Sequence, residues 1–318
     1  MFWGSWLSVS MWSAPEGFPE IAGIFGASLM VMAVGIKDDI LAIHPLKKLA
    51  GICISAVMVI LFAGLRITSF QGAFGIHGLP TWLSEGFTFI IIVFVVNAFN
   101  LIDGIDGLAA GLGILASVAY GIWFQWMGDN AFAILSWSLA GALLAFFWFN
   151  VFGGRRKIFL GDSGSLFTGL LLSIISIRFC ELNIANGAVR SLETAPAIAI
   201  AFVGVPVFDT IRVFMLRIAR RQSPFRADKN HIHHKLLSLR LSHLESNAVL
   251  LILNLCLVLI AVFLRSLNIV ILTGLMFLTF TLFTLVVGQL QKRDIRIGSG
   301  NRVLHESRIA SIFSALFR

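Results

Sequence analysis

The stretch GFTFIIIVFVVNAFNLIDGIDGLAAG, residues 86–111, joins an apolar run to a short acidic break and to the start of a second apolar run. A helix needs about 20 apolar residues to cross the hydrocarbon core of a bilayer. A carboxylate at the middle of such a helix costs roughly 2.5–3.5 kcal/mol on insertion scales. Asp103 and Asp106 lie in the break between the runs, which predicts acidic side chains at a membrane surface.

This alternation of apolar runs and polar breaks continues along the chain. Of its 318 residues, 58% are hydrophobic and 13% charged, and the mean hydropathy is +0.92. Soluble domains are about 45–50% apolar and about 25% charged, so we predict an all-α, polytopic membrane bundle. About nine segments are candidate transmembrane helices: 19–36, 49–65, 86–100, 108–127, 131–151, 166–179, 195–216, 247–264 and 267–288.

The domain organisation follows from these segments. We expect a single transmembrane bundle over residues 1–288 and a cytoplasmic tail over 289–318 that could lie on the membrane as an amphipathic helix. The loop 67–82 alternates apolar residues with glycines, so a short periplasmic β-hairpin is expected there. The three cysteines are far apart in sequence, which indicates neither a disulfide nor a cysteine metal site.

The basic residues predict the orientation. Nineteen of the 24 Lys and Arg residues fall in one set of alternate loops and four in the other, so the basic side is interpreted as cytoplasmic. This explains the net charge of +8 without a nucleic-acid partner. The breaks at 38–39, 103–106 and 162 and the histidines at 231–234 all fall on that side.

Two motifs carry most of the acidic residues. In GIKDDILAIHPLKK, residues 35–48, adjacent aspartates would point about 100° apart on a helix, so one can face a metal while the other accepts a proton. Lys47 and Lys48 bring cationic nitrogen towards the same surface, although a solvated loop with orienting lysines also fits. In the second motif four polar residues recur every third position and predict a polar stripe that Gly104 and Gly107 interrupt; they are Asn97, Asn100, Asp103 and Asp106.

Two further motifs lie later in the chain. Asp162, between glycines in RRKIFLGDSGSLFTG (155–169), is either a helix N-cap or part of a metal or phosphate site. The basic segment SPFRADKNHIHHKLL (223–237) carries three histidines beside Asp228. Its charge favours phosphate or pyrophosphate binding over metal ligation or a structural role. Asp209 and Arg212 predict a buried ion pair within one helix.

In this order the four motifs, over about two-thirds of the chain, resemble the polyprenyl-phosphate N-acetylhexosamine-1-phosphate transferases of glycosyl transferase family 4. The His-x-His-His form looks like the WecA and TagO branch rather than MraY. The resemblance implies transfer of GlcNAc-1-phosphate from a UDP-amino sugar to undecaprenyl phosphate with release of UMP, as the initiating step of cell-envelope polysaccharide synthesis in the inner membrane. It also implies Mg²⁺, with Mn²⁺ as an alternative, and leaves a homodimer open.

The resemblance also implies roles for individual residues. Asp38, Asp39, Asp162 and His233 would be catalytic, and Asp162 and Asp39 would bind the metal. The implied substrate-binding residues are Lys48, Asn97, Asn100, Asp103, Asp106, Phe159, His231, His234 and Asp228.

One departure from the family keeps two other hypotheses in place. Family members normally begin with a helix, a Lys-Pro-Arg-x-Gly-Gly-type loop and a second helix. Residues 1–12 resemble only the end of that second helix. A shortened, inactive binding or scaffold homologue is therefore one alternative. A membrane transporter is the other, and it predicts acidic residues at mid-helix and internal repeats, neither of which the sequence has.

Overall fold

The computed structural model describes residues 18–185, 192, 194–222 and 230–300, which fold as a bundle of α-helices. Eight of the described helices are long and apolar enough to cross a bilayer, which confirms the prediction of a polytopic membrane bundle. In chain order the helices are α1 (Phe18–Leu41), α2 (Pro45–Phe62), α3 (Thr81–Ile102), α4 (Leu108–Met127), α5 (Asn130–Phe152), α6 (Gly161–Ala185), α7 (Ala195–Phe202), α8 (Gly204–Ala219), α9 (Ile232–Ser238), α10 (His243–Phe263) and α11 (Ile269–Gly300).

The seventh predicted segment is a broken helix. α7 and α8 meet at an angle of 86°, and this pair, taken as one span, raises the number of spans to as many as nine. Pro206 has no N–H, so it cannot donate to the carbonyl of Phe202 as a continuous helix would require. The side chain of Asn254 in α10 replaces the lost bonds, because its Nδ2 donates to that carbonyl (3.2 Å) and its Oδ1 accepts from Val205 N (2.9 Å). A buried amide therefore stabilises the break.

The predicted β-hairpin at 67–82 is wrong, because the described residues contain no strand. This loop instead forms a short 3-10 turn at Ala73–Gly75. Gln71 and Phe74 have φ values of 49° and 54°, which lie outside the extended region that a strand requires. Glu181 of α6 holds the loop, since its carboxylate accepts hydrogen bonds from Thr68 N (2.8 Å) and Thr68 Oγ1 (2.7 Å).

α6 lies at the centre of the bundle. Of an apolar 18-residue stretch of α6, 78% is buried inside the protein. The corresponding share in the other seven membrane-length helices is 28% to 67%. α1 crosses the first turn of α6 so closely that a Cβ on Gly35 would overlap the backbone of Ser163. α3 also approaches α6 closely, because a Cβ on Gly169 would lie 2.8 Å from Val96 Cα. This packing brings the acidic ends of α1 and α3 to the start of α6.

The C-terminal boundary differs from the prediction in one respect. α11 continues to Gly300 and does not end at residue 288. Residues 301–318, which hold most of the predicted amphipathic tail, and the N-terminal segment 1–12 lie outside the described residues. The division into a bundle and a tail stays a prediction.

Candidate active site

The first turn of α6 is capped by a side chain from α1. Asp39 Oδ1 accepts a hydrogen bond from Asp162 N (2.7 Å), and Asp39 Oδ2 accepts one from Ser163 N (3.1 Å). The carboxylate also meets the positive end of the α6 dipole. Gly161 has φ +65°, and a Cβ there would lie 2.8 Å from Asp39 Oδ2, so this turn requires glycine. Asp39, rather than Asp162, therefore caps the helix.

A lysine lies between two carboxylates at this end of the bundle. Lys48 Nζ is 2.6 Å from Asp162 Oδ2 and 3.1 Å from Asp38 Oδ2. Asp162 Oδ1 accepts from Asn100 Nδ2 (2.5 Å), and Asp38 Oδ1 accepts from Ile43 N (2.8 Å). We name the side chains of Asp38, Lys48, Asn100 and Asp162 the Lys48 cluster. It joins residues from three of the four sequence motifs.

The predicted polar stripe is divided between different partners. Asn97 Nδ2 donates to a carbonyl of its own helix (2.7 Å), whereas Asn100 contacts Asp162. α3 ends before Asp103, so Asp103 and Asp106 lie in a turn and not on the helical face. The predicted interruption by glycine is confirmed, and it allows the acidic residues to face in different directions.

Asp103 lies in that turn among other carboxylates. Burial, followed by the negative charges of Asp162, Asp106 and Asp39, raises the pKa of Asp103 to about 7. With this pKa, the carboxyl group is about half protonated at neutral pH, and an added positive charge favours the carboxylate. The turn therefore carries more acidic groups than the nearby cations neutralise.

A second cluster surrounds Asp106. Asp106 Oδ2 lies 2.7 Å from Lys157 Nζ and 2.8 Å from His243 Nδ1. Burial alone would raise the pKa of Asp106, but the hydrogen bonds from Lys157 and His243 hold it below its usual value. Lys157 Nζ also lies 5.2 Å from the ring centroid of Phe159, a residue that is 75% exposed. We name Asp106, Lys157, Phe159 and His243 the Asp106 cluster.

The histidine segment is anchored to α8 by a buried network. Asp209 Oδ1 lies 2.6 Å from Arg212 Nη2, which confirms the predicted ion pair, and Asp209 Oδ2 lies 2.8 Å from His231 Nδ1. The same carboxylate accepts from Ile232 N (3.2 Å), at the start of α9. Arg212 Nη2 also donates to Asn230 O (2.7 Å). The network fixes where the histidine segment starts.

His233 is buried against the acidic turn. A Cβ on Gly104 would overlap His233 Nε2, and His233 Nδ1 has no hydrogen-bond partner within the described residues. Burial, together with the charge of neighbouring His234, lowers the pKa of His233 to about 3, so this imidazole is neutral. The roles implied for the histidines stay predictions, and Asp228 lies outside the described residues.

Sequence reasoning did not select several residues that complete the site. Asn150, at the end of an apolar segment, accepts from Gly107 N at Oδ1 (2.6 Å) and donates from Nδ2 to Ile158 O (2.7 Å). It thereby links the acidic turn to the segment that carries Phe159. Lys157 gives no signal in the sequence beyond its share of the basic charge on one side of the membrane. His243 and Asn247 lie four positions apart where α10 begins, a spacing that marks one helical face.

Together, the described helices and the two charged clusters at one end of the bundle define a multi-pass membrane protein. The family model described as glycosyl transferase family 4 matches residues 21–180, a range that holds the acidic motifs. The chain belongs to this family, and the family assignment made from the sequence is confirmed.

Curated relatives share more of the chain than the family model covers. A decaprenyl-phosphate N-acetylglucosaminephosphotransferase from Mycolicibacterium smegmatis is 36% identical over 251 residues, which are 74% of this chain and 60% of that protein. A probable undecaprenyl-phosphate N-acetylglucosaminyl 1-phosphate transferase from Bacillus subtilis is 30% identical over 248 residues, or 78% and 66% of the two chains. An undecaprenyl-phosphate alpha-N-acetylglucosaminyl 1-phosphate transferase from Yersinia pestis is 31% identical over 220 residues, or 65% and 56%. The chain thus spans less than two-thirds of the length of each of these relatives.

Proposed function

We propose that this protein transfers N-acetylglucosamine-1-phosphate from UDP-GlcNAc to undecaprenyl phosphate and releases UMP, as the first step of cell-envelope polysaccharide synthesis. The names of the relatives and the family membership support this reaction. The observation that carries the proposal is the Lys48 cluster, in which an ammonium group and two carboxylates meet at one end of a membrane bundle. The distribution of basic residues supports a cytoplasmic position for that end in the inner membrane.

The donor groups of the Lys48 cluster fit Mg²⁺. This ion is usually held by one or two carboxylates, with substrate phosphates and water as the other ligands. Across the described residues, no three His, Cys, Asp or Glu side chains converge on one point. Two carboxylates, those of Asp162 and Asp38, already face one cationic atom, Lys48 Nζ. Of these two side chains, Asp162 would hold the ion, which would neutralise charge on the donor diphosphate.

Asp39 has a different assignment from the one that the resemblance implies. Both of its carboxylate oxygens accept backbone N–H groups of α6. We therefore assign Asp39 the task of fixing the α6 turn, and with it the position of Asp162. Asp39→Asn would leave an amide nitrogen facing at least one of these N–H donors.

The remaining chemistry uses the chain's own charges. Both substrates are anionic, so they repel one another unless cationic groups lie between them. Lys48 is such a cationic group, and it already lies between two carboxylates of the site. It would hold the lipid phosphate beside Asp38, and Asp38 would orient that phosphate or accept its proton. An oxygen of the lipid phosphate then bonds to the phosphorus of the sugar-1-phosphate as the bond to UMP breaks. One phosphoanhydride replaces another, so no ATP is needed.

An exchange assay tests the proposed reaction. The full chain in vesicles that contain undecaprenyl phosphate should incorporate labelled UMP into UDP-GlcNAc when Mg²⁺ is present. Vesicles without the lipid phosphate, or with a chelator, should show no exchange. Absence of exchange under the complete conditions would leave the scaffold hypothesis, and ion flux without exchange would favour a transporter.

The pKa of Asp103 predicts a pH dependence of cation binding. Because that pKa is about 7, Asp103 is protonated below pH 7 and becomes a carboxylate above it. Its negative charge then adds to that of the neighbouring aspartates. The affinity for Mn²⁺, measured by electron paramagnetic resonance, should rise between about pH 6 and 8, and Asp103→Asn should flatten this rise.

The matched control is Glu85→Gln, at the other end of α3. It should leave the pH profile of Mn²⁺ affinity as it is in the wild type. An unchanged profile in Asp103→Asn would contradict the assignment of this titration to Asp103.

A further inference from the structure

A capping box begins α10 beside the acidic turn. Ser242 Oγ accepts from Glu245 N (3.2 Å), and Glu245 Oε2 accepts from Ser242 N (2.8 Å), which together form a capping box. His243 is the first residue of the helix. Its backbone position is therefore set by the cap and does not depend on the contacts that its imidazole makes.

A second side chain on the same face attaches α10 to the turn. Asn247 is 1% exposed, and its Nδ2 lies 3.5 Å from Asp106 O. A Cβ on Gly107 would lie 2.7 Å from that nitrogen, so the backbone of the turn approaches α10 as closely as glycine permits. His243 and Asn247 are four residues apart and thus share one helical face. The imidazole of His243 consequently meets Asp106 at a fixed place.

The two carboxylate oxygens of Asp106 have different contacts. Oδ2 lies within hydrogen-bond distance of both Lys157 Nζ and His243 Nδ1. Within the described part of the chain, Oδ1 has no hydrogen-bond or ion-pair partner, although the side chain is 21% exposed. Because a carboxylate oxygen can only accept, the 2.8 Å contact requires the tautomer in which Nδ1 of His243 carries the proton, so two donors on one oxygen fix the plane of the carboxylate. The other oxygen remains an acceptor for a ligand.

An exposed aromatic ring accompanies this acceptor. Lys157 links the two groups, since its Nζ contacts Asp106 Oδ2 and lies 5.2 Å from the centroid of the Phe159 ring. The resemblance to the transferase family implies that Asp106 and Phe159 bind substrate. A flat ring that carries an N–H group suits this pair, because it can stack on the aromatic face and donate to the carboxylate. Uracil has a hydrogen on N3, whereas cytosine has a lone pair there, which a carboxylate would repel.

We infer that His243 is a positioning residue for the nucleobase: it orients Asp106 so that Oδ1 accepts the N3–H of a uracil stacked on Phe159. The inference rests on the proposed use of a uridine nucleotide, and it adds a residue outside the family-matched range 21–180. His243 itself need not touch the base. Its contribution is to hold one oxygen of Asp106 and thereby direct the other.

Nucleotide binding to the full chain in detergent, measured by calorimetry with UMP and CMP, tests this role. His243→Phe keeps a ring but removes the Nδ1 donor, and it should weaken UMP binding about tenfold, the effect of losing one hydrogen bond to a charged group. It should also reduce the preference for UMP over CMP. His243→Asn places an amide N–H near the position of Nδ1 and should bind UMP within about threefold of the wild type.

The matched control is His77→Phe, which makes the same change at an exposed histidine in the loop at the opposite end of the bundle. It should not alter UMP affinity. In turnover assays, His243→Phe should raise KM for UDP-GlcNAc and leave KM for undecaprenyl phosphate unchanged. His243 is 49% exposed, so the substitution should not prevent folding.

Three results of the binding measurements would overturn the inference: no UMP binding by the wild type, unchanged UMP affinity in His243→Phe, or an equal loss in His243→Asn. An equal rise in both KM values would indicate a general structural defect and would also overturn it. These outcomes differ from failure of the proposed function. A wild-type protein that binds UMP but catalyses no exchange would refute the transfer reaction, while the comparison of UMP affinities would still decide the role of His243.

Discussion

Asp162→Asn should abolish UMP release while leaving the protein folded in the membrane. The substitution keeps the size of the side chain but removes the charge that faces Lys48 Nζ at 2.6 Å. If Asp162 is the main carboxylate that holds the metal, the loss should exceed the roughly 10- to 100-fold decrease that changes around a metal site's ligands produce. UMP release in vesicles measures turnover, and size-exclusion chromatography in detergent reports folding.

The chain offers a matched control at the other end of the bundle. Asp129 caps α5 by accepting from Phe132 N at Oδ1 (3.3 Å), a role that asparagine fills equally well. Its Oδ2 lies 2.8 Å from Arg178 Nε, so Asp129→Asn also weakens an ion pair, but at the end of the bundle opposite the Lys48 cluster. Asp129→Asn should therefore retain turnover. Similar activities in the two variants would refute a metal role for Asp162.

Asp209→Ala should destabilise the protein more than the loss of an exposed ion pair does. The substitution leaves Arg212 buried without its carboxylate partner and removes the acceptor for Ile232 N. Loss of one partner from a buried pair typically costs about 3–5 kcal/mol. The free energy of unfolding in mixed micelles should fall by this amount, and turnover should fall because the histidine segment loses its anchor at His231.

An exposed ion pair serves as the comparison for Asp209. Arg66 and Glu85 lie 3.6 Å apart, and the side chain of each is about 40% exposed. Exposed pairs contribute about 0–1 kcal/mol, so Glu85→Ala should change the free energy of unfolding very little. Equal decreases in Asp209→Ala and Glu85→Ala would show that the buried network does not stabilise the histidine segment.

The apolar runs and their breaks determined the class of fold from the sequence. Hydropathy and helix interruption depend on residues that are near one another in the chain, and Gly104 and Gly107 marked the interruption correctly. The same kind of pattern failed at 67–82, where apolar alternation predicted strands. The loop has positive φ values at Gln71 and Phe74, and Thr68 in it is bound by Glu181, 113 positions later in the chain, a contact that no local pattern reports.

The sequence also identified most residues of the candidate site, because carboxylates and amides at the ends of apolar helices are unusual. It could not assign their partners. Asp39 accepts a hydrogen bond from the start of α6, 123 positions later in the chain. Asp106 contacts His243, 137 positions later.

What the sequence by itself determined is therefore a helical membrane bundle with acidic and histidine-rich segments at its helix ends. Only the tertiary structure decided that Asp39 caps α6, that His233 is buried against Gly104 and that His243 holds Asp106. The physical reason is that hydropathy acts on each segment separately, whereas a hydrogen bond or ion pair requires two side chains that helix packing brings within about 3 Å.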